Sequence, residues 1–413
     1  MPTNLIVTYP FGGDPTGTSD RILARDSTGR LWCVHAGFDG ANDQMFVSHS
    51  DNQGVTWTHE QIANNPGFTQ QDPCIAVDSL GRVHVAWTGT GWGGNPGFQN
   101  IQYRRRIATG WEAQVGITDV AFPQGSVGIA VDSQNNVYVM WGGQGIVAPP
   151  LNEKVFLVIR SVAGWSPIEA PVSGAVPQRI GGFSIDLLDG VNLAFSGVGY
   201  GGNPGQTNCQ YLHRASGGGW GAQETITDVA FNQEPPRIAI DTSGVIHVAW
   251  PGNGWGANPG FDNWQYRQRT PAGWGVQEPI TDIAVDQQPG QVIVDINGNV
   301  YVDWEAVGFG AFPLAAQIVY RQRLAGVWQP MVMITNNNAG LANAHPSSHG
   351  SLWPLVGGLR VNMPQVGLAV VYSEHDLVNS DVYYHYPSGT RWPAAPAANT
   401  KPQVQTLPAT EVT

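Results

Sequence analysis

The chain has 413 residues, a formal net charge of −12 and only 12% Asp, Glu, Lys and Arg, where soluble domains usually have roughly 25%. A negatively charged protein repels phosphates, so the composition argues against nucleic acid and anionic membrane surfaces as partners. The uncharged polar residues that form most of the surface would recognise a partner through hydrogen bonds.

The N-terminal segment 1–13 has no basic region followed by an apolar core, so the sequence predicts no secretory signal and synthesis in the cytoplasm. No apolar run approaches the roughly 20 residues of a membrane-spanning helix, and membrane insertion is not expected. Cys33, Cys74 and Cys209 have neither the number nor the spacing of a disulfide framework or a metal site. We predict free thiols, no bound metal and no cofactor.

After a short apolar segment at 4–9, one motif recurs along the chain. Each copy has a β-branched run, a tight turn of Asp, Ser, Asn and Gly, and a second alternating run, which is typical of a β-hairpin. A degenerate seventh copy lies at 358–374. The first six copies share an aspartate at steps of 52 to 55 residues: Asp26, Asp78, Asp132, Asp186, Asp241 and Asp295.

A tryptophan after a further strand and a Gly-containing turn marks the same period. Each unit therefore has four strands, and about 54 residues per four strands is typical of a β-propeller blade. No stretch has a helical period. The sequence predicts an all-β, seven-bladed β-propeller of four-stranded antiparallel blades. The recurring tryptophans are Trp57, Trp111, Trp165, Trp220, Trp274, Trp328 and Trp392.

The two ends of the chain have different predicted roles. Residues 4–9 stand where other units have a fourth strand, so we expect this strand to pair into the last blade and close the ring. Residues 1–393 then form one propeller. Residues 394–413 are rich in Pro, Ala and Thr, which predicts an extended tail.

Residues 50–57, with the sequence SDNQGVTW, resemble the Asp-box of the sialidase-like propellers, Ser-x-Asp-x-Gly-x-Thr-Trp. They depart from it at Asn52, which stands for the aspartate, and the other six units keep mainly the Gly and the Trp. In that family the box is a folding element whose aromatic side chain packs between sheets. The resemblance implies the propeller fold and leaves the activity open.

The same resemblance would imply three arginines that clamp a carboxylate, a Tyr–Glu nucleophile and an acidic aspartate. Arg21, Arg179 and Arg237 each begin a predicted inner strand, and they form the alternative anion clamp. They stand five, seven and four residues before their repeat aspartates, so their places are not equivalent. No tyrosine is linked by spacing to a glutamate, and such sialidases are usually six-bladed, so we predict no catalytic residues.

The turns between second and third strands are the most distinctive loops. Residues 89–100, 197–208 and 252–263 contain an aromatic residue followed by Asn-Pro-Gly, and 306–317 keeps only the aromatic. Aromatic rings beside amides suit sugar binding. The alternative is that the aromatics only pack the loops together. The predicted ligand-binding residues are Trp92, Asn95, Tyr200, Asn203, Trp255, Asn258 and Phe309.

These features predict a non-enzymatic recognition or adhesion propeller that binds a glycan or another structural protein through one face. The missing signal, the scarce lysine and the tail also fit a virion or phage-appendage component, assembled with other proteins or as a homo-oligomer. Two alternatives stay open: a sialidase-like glycoside hydrolase and a purely structural scaffold.

Overall fold

The computed structural model describes residues 3–10, 21–172, 174, 176–295, 297–336, 342–348, 370–375 and 379–385. Strands, turns and bends make up these residues, and no helix occurs among them. None of the described segments is therefore a helix that could cross a membrane. The prediction of an all-β chain with four-stranded antiparallel sheets is confirmed.

The described residues form seven antiparallel sheets, which we number in chain order. Sheet 1 contains β2 (Leu23–Arg25), β3 (Leu31–Phe38), β4 (Asp43–Ser50) and β5 (Thr58–Ala63). Sheet 2 contains β6 (Gln70–Val77), β7 (Val83–Gly89), β8 (Asn100–Ile107), β9 (Gly110–Trp111) and β10 (Val115–Gly116). Sheet 3 contains β11 (Gln124–Val131), β12 (Val137–Gly143), β13 (Lys154–Ser161) and β14 (Gly164–Trp165).

The second half of the chain repeats the pattern. Sheet 4 contains β15 (Gln178–Ile185), β16 (Val191–Gly197), β17 (Asn208–Arg214) and β18 (Glu224–Thr225). Sheet 5 contains β19 (Arg237–Ile240), β20 (Ile246–Gly252), β21 (Asn263–Thr270), β22 (Gly273–Trp274) and β23 (Glu278–Pro279). Sheet 6 contains β24 (Gly290–Val294), β25 (Val300–Ala306), β26 (Gln317–Leu324), β27 (Val327–Trp328) and β28 (Val332–Met333). Sheet 7 contains β29 (Ala342–Ser348), β30 (Val370–His375), β31 (Asn379–His385) and the N-terminal β1 (Thr3–Pro10).

Consecutive sheets are neighbours in the fold. From sheet 1 to sheet 7, the first strand of each sheet contacts the first strand of the next. The N-terminal strand β1 pairs antiparallel with β31 and contacts β3 of sheet 1. The prediction that the N-terminal strand pairs into the last unit is confirmed. The predicted tail at 394–413 and Trp392 lie outside the described residues.

Each repeat aspartate holds the hairpin between the first and second strands. In all six, Oδ1 accepts backbone N–H groups two and four residues later, as Asp241 does from Ser243 at 2.9 Å and Val245 at 2.8 Å. Oδ2 accepts from the side chain six residues later, such as His247 Nε2 at 3.4 Å. An unmade hydrogen bond at a buried group is costly, so the aspartate recurs as a folding residue.

The space between sheets is filled by apolar side chains. Fully buried tryptophans occupy the same place on the second strand of sheets 2, 3, 5 and 6: Trp87, Trp141, Trp250 and Trp304. At the rim, third-strand arginines pair with the preceding sheet, as Arg269 Nη2 does with Glu224 Oε1 at 2.7 Å. The same carboxylate accepts Trp274 Nε1 at 2.9 Å. The recurring arginines and tryptophans therefore join neighbouring sheets.

The cysteines lie inside the sheets. Cys33, Cys74 and Cys209 are buried thiols that form no disulfide. Burial raises the pKa of the Cys33 and Cys209 thiols above their ordinary value. A raised pKa keeps the thiol protonated and unreactive, which agrees with a packing role.

Candidate functional site

The two ends of the sheets form two faces. We call loop face the end that carries the turns between second and third strands and the connections to the next sheet. We call hairpin face the opposite end, which carries the other turns. The residues predicted to bind a ligand all lie on the loop face.

In sheets 2 to 6, a glutamine at or just before the first strand bonds to the loop of its own sheet. Gln233 Oε1 accepts the indole N–H of Trp250 and that of Trp255, both at 2.9 Å. Its Nε2 donates to the carbonyl of Asn253 at 2.9 Å. Gln70 does the same with Trp87 and Trp92 in sheet 2. One buried amide therefore fixes a core tryptophan and a loop tryptophan at once.

Glycine at the end of the second strand makes room for this amide. A Cβ on Gly252 would lie 2.2 Å from Gln233 Oε1, and one on Gly89 would lie 2.0 Å from Gln70 Oε1. Neither φ is in the left-handed region, so the close approach of the side chain explains the glycine. The glycine, the glutamine and the two indoles form one unit.

The Asn-Pro-Gly turns are held by aspartates of the connection that follows. Asp282 accepts the backbone N–H of Ala257 at 2.8 Å and that of Asn258 at 3.0 Å, and Asn258 Nδ2 donates to it at 3.0 Å. These hydrogen bonds lower the pKa of Asp282 despite its exposure. Asp119 with Asn95 and Asp228 with Asn203 repeat the arrangement. The three predicted asparagines therefore have partners within the protein.

The predicted aromatics are partly buried. The hydroxyl of Tyr200 accepts from Gln178 Nε2 at 3.3 Å, and the ring packs edge-on against Phe195. Phe309 packs against the core between sheets 5 and 6. The seven residues lie in four separate loops, those of sheets 2, 4, 5 and 6. Their role as ligand contacts stays a prediction.

A different set of aromatics is exposed on the same face. Among the described residues, five phenylalanines are exposed, by 36–43%, and all five lie on the loop face. The large apolar side chains exposed on the hairpin face are aliphatic, for example Leu80 and Val327. The exposed phenylalanines are Phe68, Phe98, Phe231, Phe261 and Phe312.

Two of these rings rest on glycines of the neighbouring loop. A Cβ on Gly91 would lie 2.4 Å from Cγ of Phe68, and one on Gly254 would lie 2.4 Å from Cδ2 of Phe231. Both glycines have positive φ, 86° and 90°. Each ring is therefore held against backbone on one side. The repeated fragments NPGF and VAF are the sequence signal for these rings.

The arginines of the alternative anion clamp lie on or next to first strands. Arg21 is 8% exposed and donates to the carbonyl of Phe183 in sheet 4 at 3.2 Å. Arg237 donates to the carbonyls of Gly181 and Gly290, in the sheets on either side. Arg179 has a side chain that is 63% exposed. Two of the three guanidinium groups thus hold backbone carbonyls, and Arg179 is the one open to solvent.

Two carboxyl groups with raised pKa values precede third strands at equivalent positions. Burial raises the pKa of Glu153, and Arg179, whose Nε lies 3.9 Å from Glu153 Oε2, only partly opposes this effect. Burial, together with the charges of Glu234 and Asp286, raises the pKa of Asp262 to about 6. A carboxyl with a pKa of about 6, as Asp262 has, can give and take protons near neutral pH. No three His, Cys, Asp or Glu side chains among the described residues are grouped to hold a metal ion.

The first strands of sheets 2 and 3 each contain a bulge. Asp72 and Ser126 have φ of 49° and 51°, and the strand register shifts around both. Ser126 and Glu153 line one cavity of about 220 Å³. Strained bulges are frequent next to functional sites. This cavity therefore brings a strained bulge residue next to a partly buried carboxyl, and the exposed Arg179 lies 3.9 Å from that carboxyl.

No protein family and no curated protein sequence matches the chain, so the Asp-box resemblance rests on its residues alone. Among solved structures, the chain is similar to a PL25 polysaccharide lyase, ulvan lyase, bound to -[GlcA(1-4)Rha3S]-. The TM-score is 0.62 at 9% identity, over 94% of this chain and 97% of that one. Polysaccharide lyase Uly1 superposes with a TM-score of 0.56 at 10% identity, over 92% of each chain.

The NanB sialidase from Streptococcus pneumoniae reaches a TM-score of 0.46 at 12% identity, over 92% of this chain and 70% of that one, which is too low for comparing sites. At such identities the two lyases show the fold alone. That fold is a β-propeller, and the prediction of this class is confirmed.

Proposed function

We propose that this protein is a carbohydrate-binding propeller that holds a neutral, hydroxyl-rich polysaccharide on its loop face. The observation that carries the proposal is the confinement of every exposed phenylalanine of the described residues to that face. We also infer that the seven sheets are the blades of one closed propeller within residues 1–393. The predicted aromatic and amide loops then frame the binding face rather than supply each contact.

The chemistry of the exposed rings suits sugars. Exposed aromatic rings gathered on one face indicate a binding surface, and a flat ring stacks on the C–H face of a sugar. Phe68 and Phe98 belong to the loop region of sheet 2, and Phe231 and Phe261 to that of sheet 5. Rings on separate sheets would engage successive sugars of a chain, so a polymer is favoured over a single sugar.

The charge of the face selects among polysaccharides. Asp119, Asp228 and Asp282 are exposed carboxylates beside the rings, and hydrogen bonds keep their pKa values low. The whole chain has a net charge of −12. Repulsion would weaken binding of uronic-acid or sulfated chains, so a neutral polysaccharide is the expected ligand.

A polysaccharide array tests the proposal with two double variants, Phe68→Ala with Phe98→Ala and Phe231→Ala with Phe261→Ala. Each aromatic contact contributes roughly 0.5–1.5 kcal/mol, so each double variant should lose about 5-fold to 100-fold in affinity. The matched control is Leu80→Ala with Val327→Ala, which removes exposed apolar groups from the hairpin face. Unchanged binding in both phenylalanine variants would contradict the proposal.

A second candidate is a polysaccharide-cleaving enzyme, and the raised pKa values of Asp262 and Glu153 favour it. A carboxyl with a pKa of about 6 is a suitable general acid, and Arg179 would bind a substrate oxygen. The test is release of reducing ends or unsaturated products from neutral and anionic polysaccharides. Cleavage that Asp262→Asn or Glu153→Gln abolishes would support the enzyme. Binding without any cleavage would reject it and leave the binding function.

A further inference from the structure

We propose that the hairpin face of sheet 4 holds a second site, separate from the loop face, that binds a small neutral polyol such as a monosaccharide. The site is a cavity of about 310 Å³ at the boundary of sheets 4 and 5. Pockets for small ligands begin at roughly this volume. Its polar lining residues are Asp186, Asn192, Tyr211, His213, Glu224 and Arg269.

The cavity arises where sheet 4 departs from the repeat. Six residues after the hairpin aspartate, sheets 2 and 5 have His84 and His247, whose rings fill this place and contact a third-strand tyrosine. Sheet 4 has the smaller Asn192, which still bonds to Asp186 and to the tyrosine hydroxyl of Tyr211. The hydrogen bonds of the repeat are kept while the volume of an imidazole ring is removed.

A histidine from the third strand enters the space instead. His213 stands opposite Asn192 in the strand pairing, where sheet 5 has Gln268 opposite His247. His213 Nε2 lies 3.3 Å from Asp186 Oδ2. Since a carboxylate only accepts, Nε2 carries a proton and donates it to Asp186. The His213 side chain is 43% exposed, and no described residue bonds to Nδ1.

A glycine is required for this pair of side chains. A Cβ on Gly190 would lie 2.7 Å from His213 Nε2 and 2.5 Å from Asp186 Oδ2. The other hairpins have side chains at this place, for example Arg82 and Val245. Gly190 and Asn192 therefore distinguish sheet 4 from the neighbouring sheets, and together they create the site.

The lining determines the kind of ligand. Arg269 is occupied by Glu224, with Nε and Nη2 each 2.7 Å from a carboxylate oxygen, and it stacks on Tyr211. Glu224 therefore neutralises the one guanidinium of the cavity, and Asp186 adds a further carboxylate to the lining, so an anion is disfavoured. The exposed part of the lining is polar and includes the imidazole of His213 and the carboxylate of Glu224, and ligand hydroxyl groups, which both donate and accept, can bond to either.

The test uses the protein labelled at its histidines and followed by NMR, with glucose, galactose, N-acetylglucosamine and glycerol as probes. His213→Gln identifies the His213 resonances. We expect probe-dependent shifts of these resonances in the wild type. Inorganic phosphate, the anionic control, should give none.

The matched variant is Asn192→His combined with His213→Gln, which gives sheet 4 the residues of sheet 5. It should keep the melting temperature and lower the affinity for the probe by at least about 10-fold, as measured by calorimetry. Gly190→Ala should reduce binding in the same assay. A variant that combines the four loop-face changes, Phe68→Ala, Phe98→Ala, Phe231→Ala and Phe261→Ala, should bind the probe normally. This result would distinguish the second site from the proposed function. No shift with any probe, or binding that survives Asn192→His with His213→Gln, would overturn the proposal.

Discussion

On both faces of the propeller, aspartates hold the turns by accepting hydrogen bonds from backbone N–H groups, but the two faces expose different side chains to solvent. On the hairpin face, Asp241 accepts two backbone N–H groups of its own turn. On the loop face, Asp282 does the same for the turn of the preceding loop. The exposed apolar groups differ: Leu80 and Val327 on the hairpin face, and five phenylalanines on the loop face.

This difference separates residues that fold the chain from residues available to a ligand. On both faces, the recurring polar residues, such as Asp241 and Asp282, form hydrogen bonds within the protein. What recurs and also stays exposed, such as Phe231 and Phe261, is available for binding. What breaks the repeat, such as Gly190 and Asn192 in sheet 4, opens a cavity.

The largest effect is expected on the loop face from Gln233→Ala. The change leaves the indole N–H groups of Trp250 and Trp255 without their acceptor and the carbonyl of Asn253 without its donor. An unsatisfied buried group costs roughly 1–3 kcal/mol, and the partly buried Trp255 and Asn253 should cost less than the buried Trp250, so the free energy of unfolding should fall by about 3–5 kcal/mol. Urea denaturation measures it. The control is Gln288→Ala, at the exposed glutamine that follows Gln287 in sheet 6. An equally small loss in both variants would contradict the expectation.

The hairpin face is tested by Asp241→Ala. The variant loses acceptors for Ser243, Val245 and His247, and we expect a fall of about 2–3 kcal/mol in the free energy of unfolding. Carbohydrate binding should stay unchanged because the hairpin turns lie on the other face. A loss of binding with an intact fold would show that the faces are not separate.

Asp241 on the hairpin face and Asp262 on the loop face should respond to pH in opposite directions. Burial alone would raise the pKa of Asp241, but hydrogen bonds from His247, Ser243 and Val245 hold it at about 2. Its contribution to stability is therefore present above the unfolded value of about 3.9 and is lost as the pH falls through about 2. Asp241→Asn should weaken the dependence of the melting temperature on pH between about 4 and 2.

Asp262 on the loop face behaves in the opposite way, because its pKa is raised to about 6. Its share of stability is present below about pH 4 and is lost as the pH rises through about 6. Asp262→Asn should therefore gain melting temperature relative to the wild type at pH 7.5 but not at pH 4. Asp119→Asn is the control, since hydrogen bonds lower the pKa of Asp119. A gain of equal size at both pH values would reject the raised pKa.

The smallest effect is expected from Asn258→Ala. The side chain donates to Asp282 at an exposed site, so the variant should lose about 0.5–1 kcal/mol. Thermal unfolding measures this loss. A loss as large as that of Gln233→Ala would show that the Asn-Pro-Gly turns support the sheets themselves.

Much of the fold could be predicted from the sequence, because the aspartate turn and the strand alternation act locally. Each repeat aspartate, such as Asp78 or Asp241, lies in the same hairpin as its partner six residues later. Spacing alone therefore identifies the pair. The pairing of β1 with β31 could be predicted because ring closure leaves one place for an extra strand.

The candidate site was harder to predict because exposure depends on contacts between distant segments. Trp92 and Trp255 look available in the sequence, yet a glutamine about 22 residues earlier holds each indole. The raised pKa of Asp262 depends on Glu234 and Asp286, which the fold brings near. For sheet 4 a signal existed in Asn192 and Gly190, but only the structure shows that His213 occupies the space.

Hydrogen exchange of the backbone with and without a bound neutral polysaccharide tests the separation of the two faces most directly. Binding on the loop face should slow exchange in residues 89–100, 226–236 and 252–263 and leave the hairpin turns around Asp78 and Asp241 unchanged. Slower exchange at the hairpin turns or the rim, or no neutral polysaccharide that slows exchange anywhere, would contradict the proposed function.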